Sequence, residues 1–148
     1  MENLDFQQIL KLVAVAALAA AAVWGPKFAR NRLGRVPIVT PESIRDALDR
    51  GDDMLLLDVR QPKEFTGGLG HIAGAMNVPL NEIGRYVEEA GDALEGYKDV
   101  PVVTVCRTDN RAYTAAKILR QYGFRDVNVL DGGMAKWNRK GYPATRSD

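Results

Sequence analysis

The run Val102-Val103-Thr104-Val105-Cys106-Arg107-Thr108-Asp109-Asn110-Arg111 carries a strand, a polar loop and the first turn of a helix within ten residues. Its first half is apolar and β-branched, the composition of a strand buried on both faces. Beyond the polar loop, apolar residues recur at Ala112, Ala115, Ala116, Leu119 and Tyr122. That spacing predicts a helix with one buried face. Cys106, the only cysteine of the chain, stands at the junction.

That junction is where a cysteine becomes reactive. The unbonded N–H groups of a loop entering a helix gather in one small space, and the helix N-terminus adds partial positive charge. Both favour thiolate over thiol, and the charges of Arg107 and Arg111 act in the same direction. A thiolate ringed by amide donors is a nucleophile toward an anionic or polarised sulfur, phosphorus or arsenic centre. This chemistry expects the Cys106 sulfur to be ionised and open to solvent. The competing reading is a small core cysteine at a strand end.

Working outward, the same alternation of strands and helices repeats. Strands are expected at Val36 to Val39, Met54 to Arg60, Ala75 to Val78 and Val127 to Leu130, besides the one ending at Cys106. Thr40-Pro41 opens a helix, with Thr40 as cap and proline in the first turn. Pro62 to Phe65 suggests a short helix. Leu80 to Leu94 has helical spacing interrupted by Gly84 and Gly91, and a last helix runs from Gly132 to Lys140. The pattern implies an α/β domain: a mostly parallel five-stranded sheet with helices on both faces. Ligands of such sheets bind beyond the C-terminal ends of the strands, the edge that holds Cys106 and the charged end of the Asp58 strand.

The first 35 residues read differently. Residues 1–8 form a short polar tail, and 9–24 are almost wholly apolar with Lys11 the sole charge. From Leu4 to Trp24 there are 21 residues, a helix of ~31 Å, about one hydrocarbon core. Acids precede this run, and four basic residues (Lys27, Arg30, Arg32, Arg35) follow it within the linker 25–35. The charge order is that of a single-pass transmembrane anchor whose basic flank stays in the cytoplasm, with the domain 36–148 on the same side. A cleaved signal peptide is the alternative, since Ala19 to Ala22 offers small-residue cleavage sites and would make the domain periplasmic.

Composition narrows the function. The formal net charge is +1, and from Val36 onward 15 Lys and Arg face 17 Asp and Glu, so nothing marks a nucleic-acid surface. One cysteine excludes an internal disulfide, and one cysteine with one histidine cannot close a structural zinc site.

Four segments together resemble the rhodanese homology domain, the sulfurtransferase fold. They are Leu57-Asp58-Val59-Arg60 with Glu64-Phe65, His71 to Ala75 running to Val78-Pro79, the Cys106 to Arg111 loop with its helix, and Leu130 to Gly133 with Trp137, Gly141 and Pro143. With the apolar segment in front, the chain is similar to membrane-anchored single-domain rhodanese-like proteins of bacteria. The resemblance implies that Cys106 takes sulfane sulfur from thiosulfate or a persulfide, holds it as a persulfide and passes it to a small thiol or a protein acceptor. Residues Arg107, Thr108, Asp109, Asn110 and Arg111 would bind the donor. Asp58, Arg60 and His71 would support the site, and no cofactor is implied. Phosphatases and arsenate reductases of this fold use Cys-x5-Arg, whereas Cys106 to Arg111 is Cys-x4-Arg. Aspartate at 109 departs from the glycine usual in such loops. The alternative function is a catalytically weak, membrane-tethered binding module. The oligomeric state has no signature in the sequence.

Overall fold

The computed structural model describes residues 34–147. The expected tail, the anchor at 9–24 and most of the basic linker lie outside the described residues. Among those described, no helix is long and apolar enough to cross a membrane. The chain divides between Arg35 and Val36, and the unit beginning at Val36 holds every element below.

Five strands alternate with helices. They are β1 (Ile38–Val39), β2 (Leu55–Asp58), β3 (Met76–Asn77), β4 (Val102–Val105) and β5 (Val127–Leu130). All pair in parallel, in the order β1-β5-β4-β2-β3. The helices are α1 (Pro41–Arg50), α2 (Pro62–Phe65), α3 (Ile83–Ala90), α4 (Asn110–Gln121) and α5 (Gly133–Arg139). The helical pattern from Leu80 to Leu94 resolves into three pieces: a 3-10 turn at Leu80–Glu82, α3, and a 3-10 helix at Gly91–Tyr97. Gly91, with a φ of +47°, ends α3, a conformation side-chain-bearing residues adopt at a cost.

Local chemistry sets the helix ends. Thr40 caps α1 by accepting from the Ser43 N–H at 3.2 Å. Ser43 also donates its hydroxyl to the Thr40 carbonyl at 2.8 Å, unlike the glutamate of a capping box, which accepts from the cap N–H. Gly51 closes α1 with a φ of +73°, the left-handed cap that glycine adopts without penalty.

The sheet sits between two apolar layers. On one face Leu57, Val59, Val102, Val127 and Val129 pack with α3 and α4, through Ile83, Ala112, Ala115, Ala116 and Leu119. On the other, Leu56, Val103, Val105 and Leu130 pack with α1 and α5, through Ile44, Met134 and Trp137. Side chains of a strand alternate between faces. Along β4, Val102 lies on the α4 side and Val103 and Val105 on the α5 side, so the next alternate position, Cys106, returns to the α4 side. The apolar run read as a strand buried on both faces is therefore split residue by residue between two cores.

Candidate active site

The strand ends carrying Asp58, Asn77, Val105 and Leu130 lie on one edge of the parallel sheet, and the Cys106 loop rises from its centre. β4 has β5 on one side and β2 on the other. Asp58 is the register partner of Val105, and the Val59 N–H donates to the Val105 carbonyl at 2.8 Å. The central strand thus delivers Cys106 beside the end of β2.

Cys106 is only 2% exposed. It is not open to solvent, contrary to the expectation from the sequence. The strand period turns Cys106 toward α4, where Ala112 and Ala115 pack in the same cluster. The residues that follow, Arg107, Thr108, Asp109 and Asn110, are all exposed, and Arg111 is partly buried. The loop is therefore an exposed rim above a buried cysteine.

The carbonyls and amides of this loop divide the work. The Met134 N–H donates to the Cys106 carbonyl and the Ala135 N–H to the Arg107 carbonyl, both at 2.9 Å. The N–H groups from Arg107 through Ala112 donate to no protein acceptor among the described residues, and the first backbone bond of α4 is Tyr113 N–H to Asp109 carbonyl at 2.8 Å. Unbonded helix-entry amides of this kind bind anions. On the sheet side, the Thr104 hydroxyl lies 2.9 Å from the Ala112 carbonyl and 3.1 Å from that of Asn128. It ties the first turn of α4 to the strand that bears Cys106.

Of the two loop arginines, one is committed. The Arg111 guanidinium donates twice to Glu64, at 2.7 Å and 2.8 Å, the fork geometry that matches a carboxylate. Glu64 also accepts from the Gln61 N–H at 3.0 Å. Arg111 thereby holds the Glu64 carboxyl down at about 2, far below its ordinary range, and its own pKa is raised chiefly by Glu64. Arg107 makes no ion pair among the described residues. Asp109 occupies the cap position of α4, yet its side chain makes no capping hydrogen bond.

Asp58 and Arg60 form a buried ion pair, each side chain 1% exposed, with the Arg60 Nη2 at 2.6 Å and Nε at 2.9 Å from the carboxylate. Nη1 and Nη2 also donate to the carbonyls of Glu64 at 3.1 Å and Gly70 at 2.7 Å. Asn77 donates to the carbonyls of both Asp58 and Arg60. His71 is buried, stacks on Phe65 with ring centroids 3.5 Å apart, and donates from Nδ1 to the Phe65 carbonyl at 2.9 Å. Its backbone pairs with Thr145. Arg60 and His71 thus brace the short helix α2, which presents Glu64 to Arg111.

Glu64, Thr104 and Gly133 received no role from the sequence. The signal for Glu64 was present: Gln61-Pro62-Lys63-Glu64 places an acid at the third helical position, where it bonds the cap N–H. An apolar cavity of about 330 Å³ lies on the α3 side of the sheet, among Leu55, Val78, Tyr86 and Val102. It includes none of the Cys106 loop.

The central strand of a five-stranded parallel sheet thus carries a cysteine loop at the head of α4. Residues 40–140 match the Rhodanese-like domain family. The chain belongs to that family. It is similar to a protein of Pseudomonas aeruginosa named thiosulfate sulfurtransferase GlpE, 33% identical over 109 residues that cover 74% of this chain and 89% of that protein. A protein of Allochromatium vinosum named sulfurtransferase is 34% identical over 105 residues, covering 71% and 91% of the two chains. Among solved structures, a rhodanese-related protein of Thermoplasma volcanium superposes with a TM-score of 0.62 at 23% identity, covering 75% of this chain and 99% of that one. At that identity the likeness speaks for the rhodanese fold alone.

Proposed function

We propose that the protein is a rhodanese-type sulfurtransferase that moves sulfane sulfur from thiosulfate or a persulfide to a thiol acceptor through Cys106. The observation that carries this reading is the set of unbonded N–H groups from Arg107 to Ala112 above Cys106, in a chain whose relatives include proteins named thiosulfate sulfurtransferase. The Cys106 thiolate attacks the outer sulfur of the donor. A sulfur–sulfur bond forms to Cys106, and the bond inside the donor breaks with its electron pair leaving on sulfite or on a thiolate. An acceptor thiolate then takes the outer sulfur and restores the Cys106 thiolate. Arg107, Thr108, Asp109, Asn110 and Arg111 line the donor's approach, the amides meeting the charge that builds during transfer. Asp58, Arg60 and His71 hold the walls of the site.

The apolar segment 9–24 and the basic residues after it support a single-pass anchor in the cytoplasmic membrane, with the domain on the cytoplasmic side. Fractionation of cells expressing the full chain tests this. Retention in membranes after a carbonate wash is expected, and release into the soluble fraction overturns it.

The burial of Cys106 favours a second reading, a tethered binding module with an inactive loop. One assay separates the two. With thiosulfate and cyanide the protein is expected to form thiocyanate, Cys106→Ser is expected to form none, and intact mass after donor treatment is expected to rise by the mass of one sulfur. If wild type and Cys106→Ser are equally inert with both donor types and no sulfur adduct forms, the binding module stands.

A further inference from the structure

The charges around the Cys106 loop nearly cancel, and this has a consequence for the donor. Arg111 is held by Glu64 in a two-pronged ion pair at 2.7 Å and 2.8 Å. The buried Arg60 is neutralised by Asp58. That leaves Arg107 and Asp109 as the loop's remaining charges, both exposed and both without an ion-pair partner among the described residues. Aspartate at a cap position ordinarily accepts from the N–H groups of the first helical turn. Asp109 does not, so its charge is cancelled neither by a capping bond nor by an ion pair among the described residues. The formal sum of Arg107, Asp109, Arg111 and Glu64 is zero.

Donors differ in the charge they bring. Attack of a thiolate on thiosulfate joins one negative charge to two: Cys–S⁻ plus S–SO₃²⁻ gives Cys–S–S⁻ plus SO₃²⁻, three charges on each side. Attack on a protonated alkyl persulfide, Cys–S⁻ plus R–S–SH giving Cys–S–SH plus R–S⁻, carries a single charge throughout. The proton stays on the transferred sulfur, and the electron pair of the broken bond leaves on the alkyl thiolate. A cradle with no net charge offers the first reaction its amides and little else, whereas the second asks for no more than the amides supply.

We propose that Asp109 and the Glu64 clamp on Arg111 select the sulfur donor by charge, favouring alkyl persulfides over the thiosulfate dianion. The inference rests on the sulfurtransferase reading. Glu64 acts through Arg111 and is a positioning residue, while Asp109 acts through the negative charge it adds to the exposed loop.

The test compares kcat/KM for thiosulfate and for a low-molecular-weight alkyl persulfide in the wild type, Asp109→Asn and Glu64→Gln, with a thiol acceptor and at two salt concentrations. Removing one negative charge next to the donor is expected to raise the thiosulfate-to-persulfide ratio about 5- to 10-fold in Asp109→Asn, mostly through a lower KM for thiosulfate. The increase is expected to shrink at high salt. Glu64→Gln is expected to move the ratio the same way by freeing the Arg111 charge. Because the ratio compares two donors on one preparation, a general loss of folded enzyme leaves it unmoved. A ratio unchanged in both variants, while both donors are turned over, overturns selection by charge and leaves sulfur transfer standing. A wild type inert toward both donors overturns the two together.

Discussion

The backbone of Gly133 lies so close under Cys106 that a methyl group there would sit 2.3 Å from the Cys106 carbonyl oxygen and 2.3 Å from that of Thr108. Gly133 also has a φ of +51°, a conformation other L-residues adopt at a cost. The start of α5 is thus the floor on which the cysteine loop is moulded, and the bonds from Met134 and Ala135 pin the loop to it.

Gly133→Ala is therefore expected to cost ~2–4 kcal/mol, from a clash against backbone oxygens together with strained backbone. Sulfur transfer is expected to fall more than stability does, because relief comes from pushing the Cys106 loop outward. Denaturant unfolding and the thiocyanate assay on the same preparation check this. A variant with wild-type stability and rate would show that the loop does not depend on that floor.

Arg60 and Asp58 predict an asymmetry. Removing one member of a buried pair leaves the other charge uncompensated, which costs about 3–5 kcal/mol. Arg60→Met is expected to lose stability on that scale, with slackening of α2 as the Glu64 and Gly70 carbonyls lose their donor. Arg60→Met combined with Asp58→Leu is expected to recover part of the loss. Unfolding curves of the two variants, measured side by side, decide the matter.

The Glu64–Arg111 bond has a pH signature. Arg111 lowers the Glu64 carboxyl from its ordinary 4.5 to about 2 in the folded protein. A carboxyl lowered by folding stabilises fully above its ordinary pKa, and its contribution is lost as pH falls through the folded value. The wild-type advantage over Glu64→Gln is thus expected to be constant above about pH 5 and to fade between about pH 4.5 and 2. With the Glu64 side chain 35% exposed, solvent screening limits that advantage to about 1 kcal/mol. Melting temperatures of both proteins across this range test it. An advantage unchanged down to pH 2 would assign the difference to packing.

Burial of Cys106 predicts a size-dependent reactivity. With the cysteine 2% exposed, a bulky alkylating reagent is expected to label it at least about tenfold more slowly in the native protein than in denaturant. Donors that present a single terminal sulfur are expected to load it without unfolding. Time-resolved mass spectrometry of native and denatured samples measures both. Equal alkylation rates in the two states would mean that the thiol is not shielded.

Much of the domain could be read from the chain because its signals are short in range. The alternation of apolar strands and periodic helices, the Thr40 cap before Pro41, and the placement of Cys106 between a strand and a helix all depend on residues a few positions apart. Backbone geometry alone turns such patterns into elements. Of the two glycines expected to interrupt the spacing from Leu80 to Leu94, Gly91 ends α3 at a φ of +47° and Gly84 is carried within the helix.

A parallel α/β domain with a lone cysteine at the C-terminal edge of its sheet is legible in the order of residues alone. Strand period and helix period are local properties, and parallel strands place all their C-terminal ends on one edge. The surroundings of that cysteine come from contacts between distant parts of the chain. Glu64 lies 47 residues from Arg111 and Gly133 lies 27 positions beyond Cys106. They meet the loop because β4 is laid between β2 and β5. Which carboxylate cancels which guanidinium, and how deep a thiol sits, are settled by contacts between elements, since electrostatic pairing and burial depend on distance in space rather than along the chain.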